Sequence, residues 1–242
     1  MVADPARLAF IVIPALLALA LTLGVAVSLR RAGATTLAAN LAAVCTLLAA
    51  SAWMALTWLA AAGGVLADWQ RTPPPFAVLV VSIVILASAL AFSRIGAALA
   101  TWLPLWMLVA IQGFRLPLEL AMHTMYERGL MPVEMSYAGR NFDIVTGIAA
   151  IVVAALAWRG IAGRGVVAAW NIIGALLLVN VVTVAILGTP RFQYFGPAHL
   201  NTWVTHPPFV WLPAVMVLAA LAGHLIVWRA LRIRRLPSAT AD

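Results

Sequence analysis

The sequence predicts an all-α integral membrane protein: a single domain over residues 1–242 with seven transmembrane helices, the N-terminus outside and the C-terminus cytoplasmic. Three observations lead there. Of the 242 residues, 65% are hydrophobic and 9% charged, whereas a soluble domain carries roughly 25% charged residues. Mean hydropathy is +1.06. Whole runs of about twenty residues lack any charge, which is the length needed to cross the hydrocarbon core.

Taken in order, the apolar runs place spans at approximately 8–29, 36–61, 76–93, 99–127, 142–159, 166–188 and 207–229. The first is longer than the roughly 7–15 apolar residues of a signal-peptide core. Arg30 and Arg31 follow it instead of a small-residue cleavage site, so it reads as a retained helix. The second holds Cys45, the only cysteine, which excludes an intrachain disulfide and a Cys-based metal or Fe–S centre. The fourth contains "IQGFRLPLE", in which Pro117 removes a backbone N–H and crowds the carbonyl of Gly113, so a distortion is expected beside Arg115. The fifth opens at "GRNFDI", with Asn141 as a helix cap and Asp143 in the first turn, where the helix dipole favours an anion. The sixth carries Asn171, Asn180 and Thr183. The seventh begins near "THPPFVWLP", where Trp211 and Pro213 set its starting geometry, and contains His224.

Orientation follows from arginine. All fifteen basic residues are Arg. Arg30, Arg31, Arg94, Arg159, Arg164, Arg229, Arg232, Arg234 and Arg235 fall on one side, and Arg7, Arg71, Arg128, Arg140 and Arg191 on the other. The side richer in Arg is expected to be cytoplasmic. Basic residues spread along membrane flanks do not form the compact stripe that nucleic acid requires, so no nucleic-acid partner is expected. The absence of Lys excludes a retinal or pyridoxal Schiff base, and no cofactor is predicted.

The strongest signal is acidic. Of seven acidic residues, Glu119, Glu127, Glu134 and Asp143 lie within twenty-five consecutive positions. Arg115, Glu119, His123 and Glu127 recur every four residues along one helix side, with Arg115 about 18 Å below Glu127 at 1.5 Å per residue. An ionised group at mid-membrane costs about 2.5–3.5 kcal/mol on insertion scales, so such residues face the bundle interior or a cavity.

These residues define the expected site: Arg115, Glu119, His123, Glu127, Arg140, Asp143 and Asn180, with no metal. The leading expectation is an outward-facing polar pocket that binds or transports a small anionic or lipid-like ligand. Arg115 would take the anion, and loops 129–141 and 190–206 would form a lid. Arg115 and Glu119 could instead neutralise each other across one turn, and Arg140 could pair with Asp143, Glu134 or Glu127.

Two other classes remain open. One is an intramembrane hydrolase or transferase using Glu119, His123 and Glu127, with a metal held together with His199 or His206 or with His123 as a general base. Against it, the chain has no HExxH or GxSxG motif, and three positions on one stripe drift by about 80°. The other is a structural or assembly subunit, with a membrane-protein partner or a second copy of the chain.

The pattern "FRLPLELAMH…GRNFDI…WNIIG…PFVWLP", over roughly 112–230, resembles a group of bacterial seven-helix integral membrane proteins with no assigned activity or cofactor. The resemblance implies topology and a multi-pass location in the bacterial inner membrane. It implies no chemistry.

Overall fold

The computed structural model describes residues 4–233. Within them the secondary structure is helical throughout. Arg234 and Arg235, used above for orientation, lie outside the described residues.

Helix α1 (Pro5–Arg31) starts where the Asp4 carboxylate accepts the Ala6 N–H and Pro5 supplies a pre-set φ. Helix α2 (Thr36–Ala62) is capped by the Thr35 hydroxyl. Helix α3 (Pro75–Phe92) again begins at proline and leads into α4 (Arg94–Trp102), whose cap is Ser93. The next helix changes its winding along its length. It consists of α5 (Leu105–Ala110), a 3-10 turn (Ile111–Phe114) and α6 (Arg115–Glu127). Helices α7 (Asp143–Trp158) and α8 (Arg164–Leu187) follow. A π-helical segment (Leu212–Val217) then runs into α9 (Leu218–Ile233).

Six of these segments are long and apolar enough to cross a membrane: Pro5–Arg31, Thr36–Ala62, Pro75–Phe92, Leu105–Glu127, Arg164–Leu187 and Leu212–Ile233. The seventh apolar helix, α7, has 16 residues. That is about 24 Å of helix, short of the ~30 Å hydrocarbon thickness.

Two expected boundaries are corrected. The fourth span begins at Leu105, not near 99, because Leu103 precedes Pro104 and is held extended (φ −84°, ψ 138°), which ends α4 at Trp102. The last span begins at Leu212, not 207, since Pro207 and Pro208 occupy a turn ahead of it. The expected distortion beside Arg115 is present as the 3-10 turn at 111–114.

α9 is central, packing against α3, α4, α5 and α8. α1 packs on α2, α4 and α6, while α7 packs on α5, α6 and α8. α2 is peripheral. It is held by α1 and by two indole bonds, Trp53 Nε1 to the Ala214 carbonyl (2.8 Å) and Trp211 Nε1 to the Met54 carbonyl (3.0 Å). Its remaining surface, including Leu37, Leu48 and Leu59, is apolar and exposed.

The interior has two apolar cores. One, at the end with the long loops, gathers Phe10, Met122, Met125, Val210 and Met216. The other gathers Val25, Val109, Val167, Val227 and Ala230. Between them, along α5–α6, α7, α8 and α9, sit the buried polar residues Gln112, Arg115, Thr146, Asn171 and His224. At the second end arginines close helix termini: Arg229 donates to the carbonyls of Ala91 and Ser93, Arg31 to Trp102 and Arg164 to Leu231.

Candidate functional site

Arg115 is the largest fully buried side chain, 1% exposed. Its position follows from a close helix crossing. A Cβ on Gly147 would lie 2.5 Å from the Leu116 nitrogen and 3.1 Å from the Arg115 carbonyl carbon, so glycine lets α7 rest on α6 there. One turn earlier on α7 stands Asp143, and its Oδ1 accepts from Arg115 Nη1 at 2.7 Å. The same nitrogen lies 3.5 Å from the Gly174 carbonyl on α8.

The alternative in which Arg115 and Glu119 pair with each other is not what forms. Arg115 crosses to Asp143, and Glu119 (2% exposed) crosses to Asn141, whose Nδ2 donates to Glu119 Oε2 at 2.8 Å and to the Met135 carbonyl at 3.0 Å. Asn141, expected as the cap of α7, stands one residue before the cap position, which Phe142 takes, and its Oδ1 accepts the Asp143 N–H at 3.0 Å. Asn141 is 0% exposed, and it belongs to the site. Its capping pattern is visible in the sequence, but its second bond, to another helix, has no local signature.

Arg115, Glu119 and Asp143 line a cavity of about 380 Å³. Its walls come from α3, α6, α8 and the π-helical segment, including Pro213, and are otherwise predominantly apolar. Met135, Asn201 and Val204, from the two loops expected to form a lid, also line it. Those loops are joined by the His199 Nδ1, 3.0 Å from the Glu134 carboxylate. Asn201 is anchored to α8 through Nδ2 to the Ala185 carbonyl at 3.0 Å.

The remaining expected site residues stand apart from the cavity wall. His123 Nδ1 lies 2.8 Å from the Ser136 hydroxyl, its Nε2 3.5 Å from the exposed Glu127, and its ring stacks on Tyr137. Arg140 makes none of the three ion pairs considered for it. Its guanidinium covers the Phe195 ring, 5.3 Å from the centroid. Asn180 donates to the Arg140 carbonyl at 2.8 Å and so ties α8 to the loop before α7. His206 bonds locally, to Thr202 and Thr205. Among the described residues no three His, Cys, Asp or Glu side chains come together as a metal-ligand set.

Two guanidinium donors of Arg115, Nε and Nη2, are buried without a protein partner among the described residues. They form one edge of the fork, the edge that can bind a carboxylate or phosphate through two parallel bonds. Below them toward the Arg-rich end, His224 Nδ1 and Asn171 Oδ1 are 2.9 Å apart, and Asn171 Nδ2 donates back to the His224 carbonyl. Gly174 makes room for this pair: a Cβ there would lie 2.7 Å from His224 Cε1 and from Thr146 Cγ2.

Asp4, at the outer edge of α1, pairs with Arg128 just beyond α6, and the hydrogen bond from that guanidinium holds its carboxyl below the usual carboxylate range. Compared with known proteins, the chain matches no protein-family model, no curated protein and no solved structure.

Proposed function

We propose that this protein binds the anionic group of a small molecule or lipid-like ligand at Arg115, within a seven-span protein of the bacterial inner membrane whose N-terminus is outside. The observation that carries the reading is the half-used guanidinium. Asp143 occupies Nη1, while Nε and Nη2 remain without a protein partner in a side chain that lines the cavity. A buried unsatisfied donor costs about 1–3 kcal/mol, and more where the group is charged, a cost that an anion with two acceptor oxygens removes. Glu119 and Asn141 form the polar rim, and the loops carrying Met135 and Asn201 cover the site.

The seven-span topology draws on six long apolar helices and on α7, whose start is embedded in polar contacts with Asn141 and Arg115. The arginines gathered at the opposite end support a cytoplasmic C-terminus. The catalytic alternative gains no comparable support, because His123 and Glu127 engage each other and Ser136 away from the cavity.

Native mass spectrometry of the gently released protein tests the proposal. Wild type should carry a discrete organic anion that Arg115→Gln/Asp143→Asn lacks. This double variant removes both charges together, so neither is stranded. A wild-type chain that stays bare, including after incubation with oleate or inorganic phosphate, would overturn it.

A further inference from the structure

The cavity has a side as well as a roof. Its α8 wall includes Ala175, Leu178, Val179, Val182, Thr183 and Ile186, positions spaced i, i+3, i+4, i+7, i+8 and i+11 on one helix face, with Val181 and Ala185 on its flank. Its α3 wall is Phe76, Val80, Ile83 and Val84, again one face. Such a face normally packs on a neighbouring helix. Here the two faces line one void instead, α3 packing on α9 and α4 while α8 packs on α7 and α9.

The void reaches the perimeter. Val84 and Val179 line it yet are 49% and 62% exposed. Val179 lies fifteen residues into the 24-residue α8, about 22 Å from its start, and Val84 about 14 Å from the start of α3. Both depths fall inside the hydrocarbon region of a bilayer about 30 Å thick. The slot therefore opens onto acyl chains. A water-soluble anion would meet the covering loops and an apolar wall. An amphiphile already dissolved in the bilayer would meet a surface that matches its tail.

We propose that the ligand is a membrane-borne amphiphile with a single anionic head and an alkyl chain, and that it reaches Arg115 laterally through the slot between α3 and α8. This rests on the reading of Arg115 as the anion site and adds the source and the route. A shift of the buried Arg115 side chain presents its Nε–Nη2 edge to the head, and the chain lies along the apolar faces of α3 and α8. Two oxygens on the head satisfy both open donors, and the tail meets walls that are predominantly apolar.

Electron paramagnetic resonance on the full chain in phosphatidylcholine nanodiscs tests it, with 16-doxyl-stearate as probe. A motionally restricted component beyond the annular lipid signal is expected. It should fall by about tenfold or more for the methyl ester, which lacks the charged head. The perimeter variants Val179→Trp and Val84→Trp narrow the slot without touching Arg115. Either should reduce the restricted component or slow its exchange at least several-fold, while inorganic phosphate should not compete.

If inorganic phosphate binds in an Arg115-dependent way, with stearate no better and both Trp variants silent, the anion site stands and the lateral route is overturned. If neither probe binds, both readings fall together. If the ester is held as well as the acid, the slot is a plain lipid groove and this inference fails.

Discussion

Asn141 is bound to Glu119 across a helix boundary at 2.8 Å, and the same amide accepts the N–H of Asp143, the first residue of α7. One side chain thereby sets the position of both carboxylates in the cavity wall. The amide's two ends are used for different purposes, since its oxygen serves the backbone of α7 and its nitrogen serves α6.

Replacing Asn141 by Ala should therefore cost more than an ordinary cap. Loss of the local bond to the Asp143 N–H removes about 1 kcal/mol, and leaving the Glu119 carboxyl without its partner adds about 1–3 kcal/mol. A total near 2–4 kcal/mol is expected, read as a lower unfolding midpoint in detergent. A change within the range of a surface substitution would mean that Glu119 finds another donor.

Arg115 and Asp143 should behave as a unit. Arg115→Ala or Asp143→Ala alone strands a buried charge and should each destabilise by about 3–5 kcal/mol. Arg115→Gln/Asp143→Asn should cost clearly less than the sum of the two single neutralisations, Arg115→Gln and Asp143→Asn. Equal additivity in a double-mutant cycle would show that the 2.7 Å contact carries no coupling.

Gly147→Ala tests the helix crossing that delivers Asp143 to Arg115. The added Cβ meets backbone of α6, which cannot swing aside as a side chain would. Overpacking of this kind costs about 1–3 kcal/mol. Gly165, in the first turn of α8 with open space around it, is the control, and Gly165→Ala should leave stability unchanged or raise it by up to about 1 kcal/mol.

The Asp4–Arg128 pair should give the N-terminus an acid-side pH dependence. The folded carboxyl sits below its ordinary range, so the unfolded chain binds the proton more readily. The contribution is present above the unfolded value and is lost as pH falls through the folded one. The protection factor against hydrogen exchange of the Ala6 N–H, which Asp4 accepts at 3.1 Å, should drop over that fall in wild type. In Asp4→Asn it should not change with protonation.

Several parts of this arrangement were legible without coordinates. Apolar runs long enough to cross a bilayer, prolines at helix starts, and the Gly113–Pro117 distortion are consequences of hydropathy and local sterics, which act over a few residues. The same reasoning marked the stripe of Arg115, Glu119, His123 and Glu127 as facing inward, because lipid is a costly environment for it; Arg115 and Glu119 are buried, while Glu127 is exposed. It placed the fourth span's start too early, since an apolar run through Trp102 and Leu103 hides the break that Pro104 imposes.

Partner choice was not legible. On one helix, Glu119 is the natural neighbour of Arg115, yet Asp143 holds the guanidinium and Asn141 holds Glu119. Hydropathy and periodicity say which side of a helix is buried but not which helix it meets. That choice depends on Gly147 permitting a close crossing and on loop 128–142 folding Asn141 back beneath Met135. The slot between α3 and α8 was invisible for the same reason: its walls read as ordinary lipid-facing or core positions. The sequence determined the helical membrane class, the apolar runs and the inward placing of Arg115 and Glu119. Tertiary structure alone decided the pairings, the orphaned edge of Arg115 and the void beside it, because each depends on contacts between segments distant along the chain.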